Sequence, residues 1–313
     1  MSVITTGELE QLYYVAETVY GTTPPVGTIA TLTWGADLLQ VKDTTDFQRT
    51  FDYISDSRAY GVTTRGMAKC GFDAKCYARN NATPYFWTNF FALYALGAVG
   101  AVTEHLPSFS AQISIKQGAA YQRFLYNGCK MTKLVMGSEG VGRPIVFDAS
   151  ILARYVSYST SKLFSGLQSL TLGADPGDPI ASSDPVSWLK KLGYTLSGGA
   201  TTDLLARTWK LTIDNHLQAM PANILSGATY YPIASTIEEE NREIIFEATI
   251  PAQDQTFETA KRNGTAMTSL TIPADNKTIT LSNGYFDDTD FPTYKQGLND
   301  ENIKIHFKTI TIA

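Results

Sequence analysis

The chain of 313 residues is 43% hydrophobic, 18% charged and 12% aromatic, which is enough apolar material for packed cores and excludes disorder along the whole length. Few charges together with many aromatic residues and threonines favour strands and exclude a coiled coil or a helical solenoid. With 25 basic and 30 acidic residues the net charge is −5, so the chain has no overall basic field that would hold nucleic acid tightly.

The first 27 residues are predicted to form an extended N-terminal arm, because Gly21, Pro24 and Pro25 disfavour regular structure. This start has neither the basic nor the apolar region of a secretory signal, which predicts that the protein folds in a cytoplasm. No run in the sequence reaches the roughly 18 apolar residues that a membrane span needs, so no membrane partner is expected.

Residues 28–156 are predicted to form a first β domain. Alternation over 67–77 places Cys70, Phe72, Ala74 and Cys76 on one inward face of a strand. The Asn127-Gly128 pair between two further strands is a strong signal for a hairpin turn. The other strands of this domain are predicted at 29–42 (broken at 35–37), 108–116, 121–126, 130–136 and 144–156.

One helix is predicted inside this first domain, over residues 85–96. Thr83 is a candidate N-cap, Pro84 suits the first turn, and Gly97 follows the end. Aromatic residues cover too much of the helix circumference for a solvated surface helix, so it is expected to anchor a core or a subunit interface.

Residues 157–203 are rich in Ser, Gly, Asp and Pro and are predicted to be a linker or insertion. Residues 204–313 then form a predicted second β domain with a short helix at 254–262, closed by Asn263-Gly264, and another hairpin signal at Asn283-Gly284. Its strands are predicted at 204–215, 229–238, 242–250, 267–272, 277–281 and 302–312.

The order of elements is the same in both domains. The segment 69–76 corresponds to 243–250, a helix follows each, and an Asn-Gly pair then follows in each half. We therefore predict a diverged tandem duplication, in which each copy is a β domain with one flanking helix.

No catalytic, cofactor-binding or metal-binding residue is predicted, and the protein is not expected to be an enzyme. His105, His216 and His306 lie outside any motif in which a histidine activates a nucleophile. Acidic clusters at 238–240 and 287–290 could bind a cation or act as paired carboxylates, but both are interpreted as solvated hairpin ends.

Two other short features also have structural interpretations. The glycine-rich segment 137–142 has no helix after it to support a phosphate and is interpreted as a hairpin connection. Cys70, Cys76 and Cys129 have no metal-site spacing and are predicted to be buried free thiols.

Four segments of the sequence belong together: an entry of the type E-x-x-Y-G-x-x-P at 17–24, the helix end Ala95-Leu96-Gly97, the strand pair at 126–134, and the strand at 143–152. In these segments the chain resembles the tail tube proteins of long-tailed bacteriophages and archaeal viruses. The resemblance spans nearly the whole chain. It implies a β-sandwich or barrel with one flanking helix in each domain, and a location in the virion tail after assembly in the host cytoplasm.

The resemblance also implies partners. Subunits would self-associate into stacked rings around a channel, and three two-domain chains would give a ring with six-fold pseudosymmetry. Contacts with the tape measure protein and other tail proteins would follow, and DNA would pass as transient cargo without specific binding.

Two other classes remain open. One is a carbohydrate-binding or adhesin-type β-sandwich of a tail tip or baseplate, in which Tyr53, Tyr60, Tyr230 and Tyr231 would stack on sugars. The other is a glycoside hydrolase that uses the carboxylates at 238–240.

Overall fold

The computed structural model describes residues 10–22, 32–33, 38–53, 60–77, 94–98, 101–102, 106–117, 120–139, 143–159, 192–222, 233–252, 256–274, 277–290 and 300–313. These residues form an antiparallel β structure with one complete helix among them, which confirms the predicted mainly β class. None of the helices in these ranges is long and apolar enough to cross a membrane.

The strands of the N-terminal half are β1 (Glu10–Ala16), β2 (Leu32–Thr33), β3 (Leu38–Asp43), β4 (Asp46–Tyr53), β5 (Tyr60–Tyr77), β6 (Gly97–Ala98), β7 (Ala101–Val102), β8 (Phe109–Gln117), β9 (Ala120–Ser138), β10 (Val146–Ala153) and β11 (Tyr155–Ser159).

The elements of the C-terminal half are β12 (Leu192–Leu196), β13 (Thr202–Leu204), β14 (Thr208–Asp214), β15 (Leu217–Ala222), β16 (Ile233–Glu239), β17 (Glu243–Pro251), the helix α1 (Thr256–Asn263), β18 (Met267–Ala274), β19 (Lys277–Asp290) and β20 (Asp300–Ile312).

The two halves have the same strand order. The first pairs its strands as β2-β1-β8-β9-β10-β5-β3, and the second pairs them as β13-β12-β18-β19-β20-β17-β14. The hairpin of β4 with the first part of β5 corresponds to the hairpin of β15 with β16. The matched element order read from the sequence is thus present in the hydrogen-bonded pairing as well.

The halves are joined edge to edge. Strand β9 pairs with β14 from Ser138 opposite Trp209 to Lys133 opposite Asp214, which produces one sheet of 16 strands. We call this β9–β14 pairing the seam. Because its backbone groups bond across the two halves, both halves contribute strands to one sheet.

The ranges predicted as arm and linker contain strands. Strand β1 lies within 1–27 and pairs along its length with β8, because Leu12 and Tyr14 bury their side chains in the core. Strand β12 lies within 157–203, pairs with β18 and buries Leu192. The limits of the domains themselves stay a prediction.

The two predicted Asn-Gly hairpin turns are wrong. Asn127-Gly128 lies inside β9 and Asn283-Gly284 lies inside β19, and both strands continue past these pairs. Gly128 has a φ of 62° and Asn283 a φ of 58°. A single residue of positive φ with paired neighbours on both sides produces a local irregularity of the strand instead of a chain reversal.

The helix predicted at 254–262 is confirmed as α1, and Gly264 after it has a φ of 63°, as a helix-terminating glycine requires. Of the other predicted helix, residues 85–93 lie outside the described residues. Its last three residues, Tyr94, Ala95 and Leu96, are helical and fully buried, and the Tyr94 ring lies 4.6 Å from that of Phe109.

Candidate functional site at the junction of the two halves

A single carboxylate organises the entry motif. Oε1 of Glu17 accepts hydrogen bonds from the Gly128 amide at 2.8 Å and the Ser110 hydroxyl at 2.6 Å. Oε2 of Glu17 accepts one from the Gly21 amide at 2.8 Å. We call Glu17, Tyr20, Gly21, Ser110 and Gly128 the Glu17 cluster. It ties the segment after β1 to β8 and to the irregular point of β9, with charge-assisted bonds of about 1.5–3 kcal/mol each.

The Tyr20 ring closes this cluster. The Lys130 ammonium lies 5.7 Å and the Arg154 guanidinium 6.0 Å from the ring centroid. A Cβ at Gly128 would lie 2.8 Å from the Arg154 Cβ and 3.2 Å from the Tyr20 ring. Glycine is therefore required at 128 for space as well as for its positive φ. Burial raises the pKa of Tyr20, so its hydroxyl stays protonated at neutral pH.

A largely buried ion pair links this region to the second half. Lys130 Nζ lies 2.6 Å from Oε1 of Glu239, and the two side chains are 14% and 11% exposed. The Leu106 amide donates to both oxygens of the same carboxylate, at 2.9 and 3.0 Å. The carboxylate of Glu239, a member of the acidic cluster at 238–240, thus binds a lysine and a backbone amide of the other half of the chain.

Asn215, directly after the seam strand β14, makes a second link. Its Nδ2 donates to the carbonyl oxygens of Ala95 at 3.2 Å and Met131 at 2.9 Å. Its Oδ1 accepts a hydrogen bond of 2.6 Å from Nε of Arg242. Burial lowers the pKa of Arg242. The Asn215 amide therefore fixes the helical residues 94–96, β9 and the turn before β17 relative to one another.

The sheet face across the seam carries a groove of about 620 Å³. Three lysines and several carboxylates line it or border it. Lys210 Nζ lies 3.0 Å from Oε2 of Glu247, and Lys304 Nζ lies 2.8 Å from Oδ2 of Asp287. Lys75 on β5 is directly opposite Asp148 on β10. We call Lys75, Asp148, Lys210, Glu247, Lys304 and Asp287 the charge ladder.

Of the three histidines, His216 lies just after β14 and His306 lies on β20, and the second acidic cluster lies at the end of β19. His216 lies 3.4 Å from Glu243, and His306 on β20 lies 3.3 Å from Asp287. A hydrogen bond from Lys304 and the positive charge of that lysine lower the pKa of Asp287. Within the ranges that the structure describes, no three His, Cys, Asp or Glu side chains are grouped to hold a metal ion.

Other predicted features have mixed outcomes. Cys70 and Cys129 are buried free thiols as predicted. The segment 137–142 joins β9 to its antiparallel neighbour β10, which agrees with a hairpin connection. The side chains of Cys76, Tyr53 and Tyr60, as well as His105 and residues 230–231, lie outside the described residues.

Sequence reasoning missed the roles of Asn215, Lys130 and Glu239 and the pairing within the charge ladder. One feature of the sequence could have indicated the charge ladder. Its lysines and carboxylates alternate with apolar residues along their strands, as at Lys210 and Glu247. Which lysine meets which carboxylate depends on strand register across the seam, and the sequence does not contain that information.

These features define a structural β protein. Two halves with one strand order share a sheet, and the polar side chains at their junction are used to hold elements together. A family model described as phage tail tube protein matches residues 7–309, and the chain belongs to this family. The family places the protein in the virion tail. Among curated proteins, no sequence matches the chain.

Proposed function

We propose that the protein is the subunit that builds the tail tube: three chains close into a ring with six-fold pseudosymmetry, rings stack, and DNA passes through the channel. The seam carries this proposal. It shows that two units of the same strand order join edge to edge through their sheets. A contact of this kind, repeated by rotation, closes a ring.

The correspondence of strands extends the seam to neighbouring chains. In the matched strand orders, β19 corresponds to β9 and β3 corresponds to β14. A seam between chains would accordingly join β19 of one copy to β3 of the next. Three chains would then supply six units and alternate three internal with three external seams, which removes exposed sheet edges from the ring.

In this proposal the chain has no catalytic step, and its partners are further copies of itself, the tape measure protein and the other tail proteins. The adhesin-type alternative rests on aromatic side chains outside the described residues, so no observation here favours it. The glycoside hydrolase alternative loses one of its carboxylates to structure, because Glu239 is held by Lys130 and by the Leu106 amide.

Electron microscopy of the purified full chain tests the proposal. We expect rings with an open centre and six densities of two alternating kinds, and tubes made of such rings. Native mass spectrometry of the ring fraction should give the mass of three chains, where one chain is 34.2 kDa. Dispersed monomers at high concentration, or rings whose densities cannot be divided into three chains, would overturn it.

A further inference from the structure

We infer that Tyr285 receives Arg65 of a neighbouring copy of the chain. This contact and the Lys130–Glu239 ion pair together make first and second halves alternate around the ring. The inference rests on the proposed function, because it assigns the residues that distinguish a seam between chains from the seam inside one chain.

The contact inside one chain provides the template. The hairpin of β15 and β16, from the second half, meets the first half at Lys130 on β9. The Lys130 ammonium lies 2.6 Å from Oε1 of Glu239 and 3.4 Å from the carbonyl oxygen of Ile237. The side chains of Lys130 and Glu239 are only 14% and 11% exposed. The two halves thus meet at a second place besides the paired strands, where a hairpin of one half covers a residue of the other.

Strand register identifies equivalent residues in the two halves. The register of β9 against β10 shifts directly after Met131, and the register of β19 against β20 shifts directly after Phe286. The residues three places before these shifts, Gly128 and Asn283, both have a positive φ. The two strands can therefore be aligned residue by residue through this region.

This alignment places Tyr285 where the first half has Lys130. The two residues differ in exposure. Tyr285 is 60% exposed and is one of the most exposed large apolar residues that the structure describes, whereas the Lys130 side chain is largely buried. The position that a hairpin covers in the first half is therefore open in the second half of a single chain.

The same reasoning finds the equivalent of Glu239. Phe246 on β17 and Phe72 on β5 match each other, because each pairs with the isoleucine that lies at the register shift. Glu239 lies seven places before Phe246, and Arg65 lies seven places before Phe72. The β4–β5 hairpin accordingly carries an arginine where the β15–β16 hairpin carries a glutamate.

The other strand of each hairpin gives the same match. Trp209 and Val41 are equivalent, since both pair with the alanine two places after the matched phenylalanine. Leu217 and Arg49 lie eight places after them and pair with the two residues already matched. Arg49 and Arg65 are thus directly opposite each other. Like charges at opposite positions are unfavourable, and an aromatic ring of a neighbouring copy offers them a partner.

The external seam brings this arginine to the open tyrosine. When β3 of one copy pairs with β19 of the next, the β4–β5 hairpin is carried to Tyr285 as the β15–β16 hairpin is carried to Lys130. A guanidinium is attracted to the face of an aromatic ring within about 6 Å of its centroid. The cation–π contact of Arg65 with Tyr285 takes the place that the ion pair has in the internal seam.

Exchanged pairings are disfavoured by the same residues. A β4–β5 hairpin placed on a first half would set Arg65 against Lys130, which have like charges. A β15–β16 hairpin placed on a second half would move Glu239 away from Lys130 and set its carboxylate against the negative face of the Tyr285 ring. Each half therefore accepts the hairpin of the other kind, and the halves alternate.

The first test detects the contact. In the full chain carrying Cys76→Ala, the changes Arg65→Cys and Tyr285→Cys place one thiol on each side of the external seam, while Cys70 and Cys129 are buried. Tubes treated with a short bismaleimide and then denatured should give chains linked in twos and threes on a gel. Lys130→Cys with Glu239→Cys is the internal control and should lose both thiols at the mass of one chain. Tubes in which only the control pair is linked would overturn the inference.

The second test exchanges the charges. Tyr285→Lys sets a second cation against Arg65, and we expect sedimented tubes to contain at least about ten-fold less chain. Addition of Arg65→Glu recreates the lysine–glutamate pair of the internal seam and should restore tube formation to within about two-fold of the unmodified chain. Tyr155→Lys, at an exposed tyrosine of the first half, is the matched control and should leave tube formation unchanged. Circular dichroism of the subunits verifies that each variant is folded.

The outcomes separate this inference from the proposed function. Failure of the unmodified chain to form rings or tubes defeats the proposed function. Unmodified chain that forms tubes, together with a Tyr285→Lys variant that forms them equally well, defeats the inference and leaves the proposed function intact. A double variant that assembles as poorly as Tyr285→Lys alone also defeats the inference, because the pair would then not be in contact.

Discussion

Gly128 on β9 and Asn283 on β19 hold the same left-handed backbone conformation, as the second and the first residue of the two matching Asn-Gly pairs, with φ values of 62° and 58°. Each lies a short distance before the point at which its strand shifts register against the neighbouring strand. On β9 the register shift lies between Met131, the partner of Ile151, and Lys133, the partner of Ser150. On β19 it lies between Phe286 and Asp288. Both strands therefore carry a register irregularity shortly after this residue, and the two halves share it as well as their strand order.

The Glu17 cluster is expected to be a main determinant of stability in the first half. Glu17→Gln keeps the shape of the side chain but removes its charge and turns an NH₂ group toward a backbone amide. We expect a loss of about 1–3 kcal/mol in the free energy of unfolding, measured by urea denaturation of unassembled chain with tryptophan fluorescence. Glu240→Gln, at an exposed position, should change it by less than about 0.5 kcal/mol. Equal effects of the two changes would contradict this role.

Substitution of Gly128 and of Gly264, which have nearly identical φ values, distinguishes the cost of steric crowding from the cost of backbone strain. Gly264 has a φ of 63° and no atom within 4 Å of an added Cβ, whereas a Cβ at Gly128 would meet Arg154 at 2.8 Å. Each change to Ala costs about 1–2 kcal/mol for the left-handed backbone. Gly128→Ala should cost about 1–3 kcal/mol more, because it also overpacks the site. Thermal unfolding of both variants measures the difference, and equal costs would show that Tyr20 and Arg154 move aside freely.

The Lys130–Glu239 pair should behave as a buried pair. Glu239→Ala leaves the Lys130 ammonium and the Leu106 amide without their carboxylate, and we expect a loss of about 3–5 kcal/mol. Glu238→Ala, at an exposed neighbouring position, is the matched control. In a double-mutant cycle the additional change Lys130→Met should recover part of the loss, because it removes the stranded charge. Simple addition of the two single effects would show that the pair is not coupled.

Thiol reactivity should report on the fold. Burial raises the pKa of Cys70 to about 11 and holds the pKa of Cys129 well above its ordinary value, so both are protonated at pH 8. In a Cys76→Ala chain we expect no fast reaction with a disulfide reagent at pH 8 and reaction of two thiols after denaturation. The contribution of Cys70 to stability is complete below its unfolded pKa of 9.0 and is lost as pH rises through about 11. Fast reaction of the native chain would contradict the burial.

Truncation of the N terminus should separate folding from assembly. Removal of residues 1–27 takes away β1 and Glu17, and we expect it to unfold the first half because β8 loses its paired neighbour. Removal of residues 1–8 leaves both in place and should leave the far-ultraviolet circular dichroism unchanged. Electron microscopy of this shorter truncation then tests the assembly role of the arm. A folded 28–313 chain would show that β1 is dispensable.

The amino-acid sequence by itself determined the class of the fold and many of its elements. Alternation over 67–77 predicted the inward face of β5, where Phe72 and Ala74 are buried, and glycine after Asn263 predicted the end of α1. These features are local, because side-chain periodicity and the need for positive φ are properties of a few consecutive residues. The repeated order of elements was also readable, since both halves carry the same succession of patterns.

Tertiary structure alone decided how the halves meet and what their polar residues do. An Asn-Gly pair favours positive φ both in a hairpin turn and at an irregular point inside a strand. The pairs at 127–128 and 283–284 lie inside strands because the residues on both sides of them pair with neighbouring strands. The carboxylate of Glu17 and the amide of Gly128 are 111 residues apart, and Lys130 and Glu239 are 109 apart. Such contacts depend on the register of β9 against its neighbours, which is set by the burial of many side chains at once and not by any short stretch of sequence.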